Sequence, residues 1–315
     1  MPPLPCKKTK YREGKKVIGK ITTKEEIEAE LEISKQIEKI PNYSSYFIIQ
    51  QLDNCTTTNF ATMRPTYASD CPQYEKKDDS KLYQLLSPFG GIDLGKFVLT
   101  PSFQFKEALQ HMLEAVGLMI QHNVCHTDLH SNNIVKDVRG KLRIIDFGMA
   151  FPGDEVSYKY VKEYVSDTHY SPTYNQIPPE FTVLLALFDG IPLETAIHEC
   201  IHGKPTITNA QNLLGMGMSL EEQKASLREF FKSPGVYAMA TQHPHEFFKM
   251  FWRKMDIWGI GGVFVKILKK CFLSPEFIET QWKRDGMKIR TVLKGIMQAN
   301  PNLRLSPEEA LQKLR

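Results

Sequence analysis

The chain has no C-x-x-C pair. Its six cysteines, Cys6, Cys55, Cys71, Cys125, Cys200 and Cys271, are scattered, which speaks against a zinc ribbon and for reduced thiols in a cytosol-like compartment. It has no apolar run near the ~18 residues a spanning helix needs, so no membrane span is expected. The first residues, MPPLPCKKTKYREGKK, carry charge without an apolar stretch and do not read as a secretory signal. There is no excess of one charge either. Forty Lys and Arg against 36 Asp and Glu leave +4, which gives no case for a nucleic-acid partner. What is present, 315 residues with 42% hydrophobic and 24% charged content, suits an ordinary globular protein of two domains or two lobes.

The chemistry-bearing residues concentrate between 124 and 150, VCHTDLHSNNIVKDVRGKLRIIDFGMA. His126, Asp128, Leu129 and Asn133 fall in the order H-x-D-L-x-x-x-N, and Asp146-Phe147-Gly148 begins thirteen residues after Asn133. One carboxylate to position an attacking hydroxyl, then an amide and a second carboxylate to hold magnesium, is the set that phosphoryl transfer from a metal–nucleotide complex requires. Asn133-Ile134-Val135 reads as a strand, 137–140 as a turn and 142–145 as a second strand. Such a hairpin sets Asn133 and Asp146 side by side at one cleft.

These motifs resemble the catalytic and metal-binding loops of the protein kinase superfamily. The resemblance implies an α+β, bilobal fold, with a small β-rich N-lobe over 1–88 and a mainly α-helical C-lobe over 89–315. It also implies roles. Asp128 would position the hydroxyl or act as base, Asn133 and Asp146 would be the metal ligands, and ATP and Mg²⁺ the cofactors. His126 reads as a structural hydrogen-bonder. Two positions depart from the family. Thr127 stands where an arginine often binds a phosphorylated activation loop, so ordering through this residue is not expected. His130 stands where serine/threonine kinases carry a lysine toward the γ-phosphate. D-L-H is also similar to small-molecule phosphotransferases of the aminoglycoside and choline kinase kind. D-L-H-x-N-N resembles kinases of large DNA viruses, for which the cytoplasmic location expected here would be the host cytoplasm or the virion.

Upstream, VIGKI (17–21) resembles the V-A-I-K strand, which makes Lys20 the phosphate anchor. In 24–40, Ile27, Leu31, Ile33, Ile37 and Ile40 recur at helical steps and predict an amphipathic helix ended by Pro41-Asn42. It resembles the kinase helix whose glutamate pairs with the strand lysine. Glu30 is the choice, with Glu28 and Glu32 as competitors. The family places a G-x-G-x-x-G loop about twenty residues before the lysine; residues 1–16 hold Gly14 as their one glycine, so the loop reads as absent or replaced, or the start as truncated. The basic residues at 7–16 read as a solvated tail. The stretch 46–51 reads as a strand, 52–80 as an inserted polar loop, and 81–86 as the next strand. Residues 87–94, SPFGGIDL, resemble the kinase hinge. Leu86 would guard the back pocket, Ser87 and Phe89 would face adenine, and Asp93 the ribose, in a register that one extra residue leaves open by one position.

Downstream, 103–122 predicts a helix burying Phe105, Leu109, Met112, Leu113, Val116, Met119 and Ile120. Three further motifs are similar to those of protein kinases and not of small-molecule kinases. Ile177-Pro178-Pro179-Glu180 resembles A-P-E, Asp256-Ile257-Trp258-Gly259-Ile260-Gly261 resembles D-x-W-x-x-G, and NPNLRLS (300–306) resembles N-P-x-x-R-x-[ST]. The resemblance pairs Arg304 with Glu180. Thr173, seven residues before Glu180, takes the place of the threonine that contacts the catalytic aspartate in serine/threonine kinases. Between Glu180 and Asp256 lie 75 residues, 181–255, read as an insertion with a helix at 219–232 and as a place for a regulatory partner. Inside it His198-Glu199-Cys200-Ile201-His202 matches H-E-x-x-H, with Glu221 or Glu222 as a conceivable third ligand. Confined between Pro192 and Gly203-Lys204-Pro205, it reads as surface or packing histidines.

The resemblance as a whole implies transfer of the ATP γ-phosphoryl group to a serine or threonine of a protein substrate, with Asp128, Lys20, Glu30 and Thr173 as the catalytic set. A pseudokinase-like scaffold, motivated by the missing glycine loop, and a small-molecule phosphotransferase stay open.

Overall fold

A computed structural model describes residues 17–50, 54–55, 82–96, 98–100, 102–215 and 217–315. The basic stretch 7–16, Gln51, most of the loop 52–80 and Lys81 lie outside the described residues. Strand β1 (Val17–Thr23) turns without a loop into α1 (Lys24–Glu38). Thr23 makes the turn. Its hydroxyl accepts the Glu26 N–H, and the Glu26 carboxylate accepts the Thr23 N–H, so two free donors at the helix start are satisfied. Helix α1 buries Ile27, Glu30, Ile33, Ser34 and Ile37, one face at three- and four-residue steps. Glu28 and Glu32 are exposed, so the helical period selects Glu30 over its competitors.

Strand β2 (Asn54–Cys55) and strand β3 (Leu82–Pro88) complete a small antiparallel sheet in the order β1-β3-β2. The described part of the expected strand 46–51, residues 46–50, does not form it, and Gln51 lies outside the described residues. The Ile48 N–H donates to Ile144 O and the Ile144 N–H to Tyr46 O, each at 2.9 Å, leaving a one-residue bridge at Phe47. Phe47 is buried and meets Phe147 edge-on at 6.1 Å. Its burial goes with this connection lying on the segment 144–147 and not on the small sheet.

After β4 (Ile92–Asp93) and α2 (Phe105–Gln121) comes β5 (Val124–Cys125). The expected hairpin is β6 (Ile134–Lys136) and β7 (Leu142–Ile144), with Ile134 opposite Ile144 and Lys136 opposite Leu142. Its turn closes on Gly140, whose φ of 85° is where glycine carries no steric penalty. β4 pairs with β6, and β5 pairs with β8 (Phe151–Pro152).

The rest is helical: α3 (Tyr158–Asp167), α4 (Pro179–Phe188), α5 (Leu193–Gly203), α6 (Pro205–Leu214), α7 (Leu220–Lys232), α8 (Val236–Gln242), α9 (Pro244–Phe251), α10 (Met255–Cys271), α11 (Lys283–Ile296) and α12 (Pro307–Leu314). Among the described residues no helix is long and apolar enough to cross a membrane. Helices α4 to α9 fill most of the stretch read as an insertion, and they carry core. Phe181 meets Phe247 at 5.4 Å and Phe248 at 4.9 Å, and Phe230 meets Phe251 at 5.0 Å, mostly edge to face. α7, expected at 219–232, starts from a Ser219–Glu222 capping box.

Helix α10 is buried along most of its length and seats the loop 126–133. Gly259 permits the contact, since a Cβ there would lie 2.6 Å from the Leu129 carbonyl oxygen. Gly259→Val is expected to push the loop off the helix and destabilise the fold by about 1–3 kcal/mol. Thermal denaturation would read this as a lower midpoint, and a superimposable melting curve would show that the loop does not depend on this seat.

Candidate active site

The loop 126–133 is hung from α10 by one carboxylate. Asp256 Oδ2 accepts the His126 N–H at 2.7 Å and its Oδ1 accepts the Thr127 N–H at 2.9 Å. Burial raises the Asp256 pKa, although both N–H groups favour its charged form. Thr127 is thereby held at φ 66°, a left-handed conformation that a branched residue adopts only when its surroundings impose it. Its hydroxyl donates to Met149 O at 3.0 Å. His126 is fully buried. Its Nε2 hydrogen-bonds Ile145 O at 2.9 Å, and its Nδ1 accepts the Asp128 N–H at 3.3 Å. Both ring nitrogens are engaged with backbone, in keeping with a structural role.

Asp128 and Asn133 meet directly. Asn133 Nδ2 donates to Asp128 Oδ2 at 3.1 Å and to Asp128 O at 3.0 Å. His130 Nε2 lies 3.4 Å from the same Oδ2. The other oxygen, Oδ1, accepts the Tyr174 hydroxyl at 3.1 Å. Burial and the Asp128 carboxylate push the Tyr174 phenol up to about 12, so it stays a donor at neutral pH. The expected contact was from Thr173, but its Oγ1 lies 3.2 Å from Ser171 Oγ. The longer neighbouring side chain spans the distance to Asp128.

Tyr174 is fixed from below by the helices after Glu180. Lys204, fully buried at the start of α6, donates its ammonium to Tyr174 O. Asn175 Oδ1 accepts the Thr206 N–H at 2.9 Å, and Asn175 O accepts the Trp258 indole N–H at 2.9 Å. Nothing in the pattern around Tyr174 or Lys204 marks them out in the sequence.

Lys20 closes the site from the small sheet. Its Nζ donates to Glu30 Oε2 at 2.9 Å and to Asp146 Oδ1 at 2.6 Å. Burial alone would lower its pKa, but Glu30 and Asp146 outweigh burial and raise it. Burial raises Glu30 against the pull of Lys20, whereas for Asp146 the nearby ammonium outweighs burial and lowers the carboxyl. Gln50, not singled out by any motif, donates to Glu30 Oε1 at 2.7 Å and fixes its second oxygen. Gly148 leaves room for the lysine, since a Cβ there would lie 2.8 Å from Nζ. Phe147 is buried against His126, with ring centroids 4.9 Å apart.

Lys20 pairs with Leu85 and Gly19 with Leu86. Directly opposed residues share a face of an antiparallel pair, so Leu85, not Leu86, stands beside Lys20. Ser87 is half-buried and Phe89 is exposed at the end of β3. Asp93 Oδ1 accepts the Lys96 N–H at 3.1 Å, and its Oδ2 lies 3.4 Å from Lys96 Nζ.

The H-E-x-x-H histidines do share a face of α5, with ring centroids 4.2 Å apart. However, Lys224 Nζ lies 3.2 Å from His198 Nδ1, where its charge opposes a cation. Glu199 accepts the Tyr170 hydroxyl at 2.9 Å. Among the described residues no group of three or more His, Cys, Asp or Glu is placed to hold a metal ion.

The third motif also closes. Arg304 Nη1 and Nη2 donate to Glu180 Oε1 and Oε2 at 2.8 and 2.7 Å, with both side chains wholly buried. A family model described as "Protein kinase domain" matches residues 6–181, more than half of the chain. The match ends one residue past Glu180, at the start of the long helical stretch. The partners that return to the matched part from beyond it, Asp256 on the loop and Arg304 on Glu180, are hydrogen-bonded to it. On the extent of that match, the chain belongs to the protein kinase family.

Proposed function

We propose that this kinase transfers the γ-phosphoryl group of ATP, held with Mg²⁺, to a serine or threonine hydroxyl of a protein. In this reading 1–88 form the N-lobe and 89–315 the C-lobe. The observation that carries it is Lys20, on the small sheet, ion-paired at once with Glu30 at 2.9 Å and with Asp146 at 2.6 Å. This brings the phosphate-binding cation and the metal-binding carboxylate to one point.

The donor set fits the cation. Asp146 offers a partly exposed carboxylate, and Asn133, with Nδ2 turned onto Asp128, directs Oδ1 elsewhere. A few hard oxygen donors suit Mg²⁺, which keeps its remaining places for water and phosphate oxygens. When bound, the metal–nucleotide complex supplies the transferable group and offsets its negative charge. The chain's own residues do the rest. Lys20 binds phosphate oxygens while Glu30 and Gln50 hold it in place. Asp128 orients the acceptor hydroxyl and takes its proton. The acceptor reaches Asp128 Oδ1 by displacing the Tyr174 hydroxyl. The serine/threonine preference is carried by the family resemblance, since the Thr173 hydroxyl lies on Ser171 and the Tyr174 hydroxyl on Asp128.

The test is a thermal-shift titration with ATP, with and without Mg²⁺, on wild type and Asp146→Ala. A ligand at a hundred times its Kd stabilises the native state by about 2.7 kcal/mol. The midpoint is expected to rise in wild type only with magnesium, and not in Asp146→Ala. No rise at millimolar ATP would remove the nucleotide-binding reading and favour a scaffold.

A further inference from the structure

A cavity of about 470 Å³ opens beside the loop that carries Asp128. The catalytic loop forms one wall through His130 and Ser131, and the activation segment another through Asn175. The opposite wall is the C-terminal half of α10, which contributes Lys266, Lys269 and Lys270. These three lie at steps of three and four, on one face of the helix. No aspartate or glutamate lines the cavity among the described residues. Lys266 and Lys269 are exposed, and the partners they touch are neutral. Lys266 Nζ lies 3.5 Å from Ser131 Oγ, and Lys269 Nζ lies 3.3 Å from Asn209 Oδ1. The cavity reaches the reacting centre through His130, whose Nε2 is 3.4 Å from Asp128 Oδ2. Two close approaches put the lysines there. A Cβ on Gly259 would meet Leu129 O at 2.6 Å, and one on Gly262 would meet Thr206 at 3.1 Å, so α10 is pressed against both the loop and α6.

We propose that this cavity receives an anionic side chain of the protein substrate, a carboxylate or a phosphate a few residues from the acceptor. The inference rests on the phosphotransfer reading for the word substrate, but not for the binding itself. Lysines in water with neutral partners gain from a counter-charge, and a wall without carboxylates offers no internal competitor. A cation in the substrate would meet like charge, so the cavity selects by rejection as well as by attraction.

The probe is a fluorescein-labelled peptide with a central serine, flanked by glutamate, phosphoserine, alanine or lysine. Anisotropy measures its binding to the full chain, and a phosphotransfer assay measures turnover. Wild type is expected to bind the glutamate and phosphoserine peptides at least about fivefold more tightly than the alanine peptide, as for a pair of partly exposed ion pairs. The advantage should shrink with added salt. A Lys266→Glu/Lys269→Glu double variant is expected to reverse the order and favour the lysine peptide. Tighter binding of the phosphoserine than of the glutamate peptide would assign the ligand as a phosphate, and the reverse as a carboxylate. Equal binding of acidic and neutral peptides by wild type, or an unchanged order in the double variant, would overturn the proposal. Charge-dependent binding without any turnover would leave the cavity assigned and count instead against the phosphotransfer reading.

Discussion

Asp128→Asn is expected to lower phosphoryl transfer by about 10²–10⁴-fold, the range for loss of a positioned general base, while magnesium-dependent ATP binding persists. The amide keeps the size of the carboxylate and can keep an oxygen on Asn133 Nδ2, which now lies 3.1 Å from Oδ2. It cannot take the acceptor's proton. The variant should therefore fold, show the wild-type thermal shift with Mg-ATP, and fail in a single-turnover transfer assay. Undiminished transfer would remove Asp128 from the mechanism. Tyr174→Phe is the companion experiment. It removes only the hydroxyl that occupies Asp128 Oδ1 at 3.1 Å. If the acceptor must displace that hydroxyl, kcat/KM for a serine peptide is expected to rise roughly tenfold, the worth of one hydrogen bond to a charged group. A fall would show instead that Tyr174 helps to orient the acceptor.

Arg304→Met is expected to destabilise the fold by about 3–5 kcal/mol, because it strands the wholly buried Glu180 without its partner. The guanidinium makes two parallel bonds to Glu180, donates to the carbonyls of Gln298 and Lys254 at 3.0 and 2.7 Å, and lies 5.1 Å from the Trp258 ring. Methionine fills much of the volume but offers none of these donors. The melting midpoint should fall by on the order of 10 °C for a chain of this size. A double variant, Arg304→Met with Glu180→Gln, should recover part of the loss, because the uncompensated charge is gone. Equal losses in the single and double variants would show that the pair is not coupled. The loss should also reach the acceptor side, because Glu180 begins the helix that follows the Tyr174 segment.

The sequence readings that held have a common basis. The Asn133–Asp146 hairpin depends on a local turn, and the observed strands Ile134–Lys136 and Leu142–Ile144 lie within one residue of those expected. The α7 start at Ser219 follows from its own capping residues. Glu30 stands out among three glutamates because Leu31, Ile33 and Ile37 follow it as apolar residues follow the family's glutamate, and the structure buries it while exposing Glu28 and Glu32. The readings that shifted depend on distant neighbours. Register between β1 and β3 cannot be read from either strand alone, and the pairing sets Leu85 opposite Lys20. Tyr46-Phe47-Ile48 has the composition of a strand, but Phe47 finds its place against Phe147, a hundred residues away.

By itself, then, the sequence determined the family and the α+β class, and it singled out Lys20, Glu30, Asp128, Asn133 and Asp146 as candidates, because each lies in a short motif whose spacing is its signal. The tertiary structure alone decided which hydroxyl meets Asp128, what Gln50 and Lys204 hold, and that 181–255 carries core helices. It also placed Lys266 and Lys269 beside the catalytic loop. These depend on side chains from segments far apart in the chain, brought within hydrogen-bond or ion-pair distance by the packing of α10 and the helices around it. No local pattern records a contact whose two halves are set by that packing.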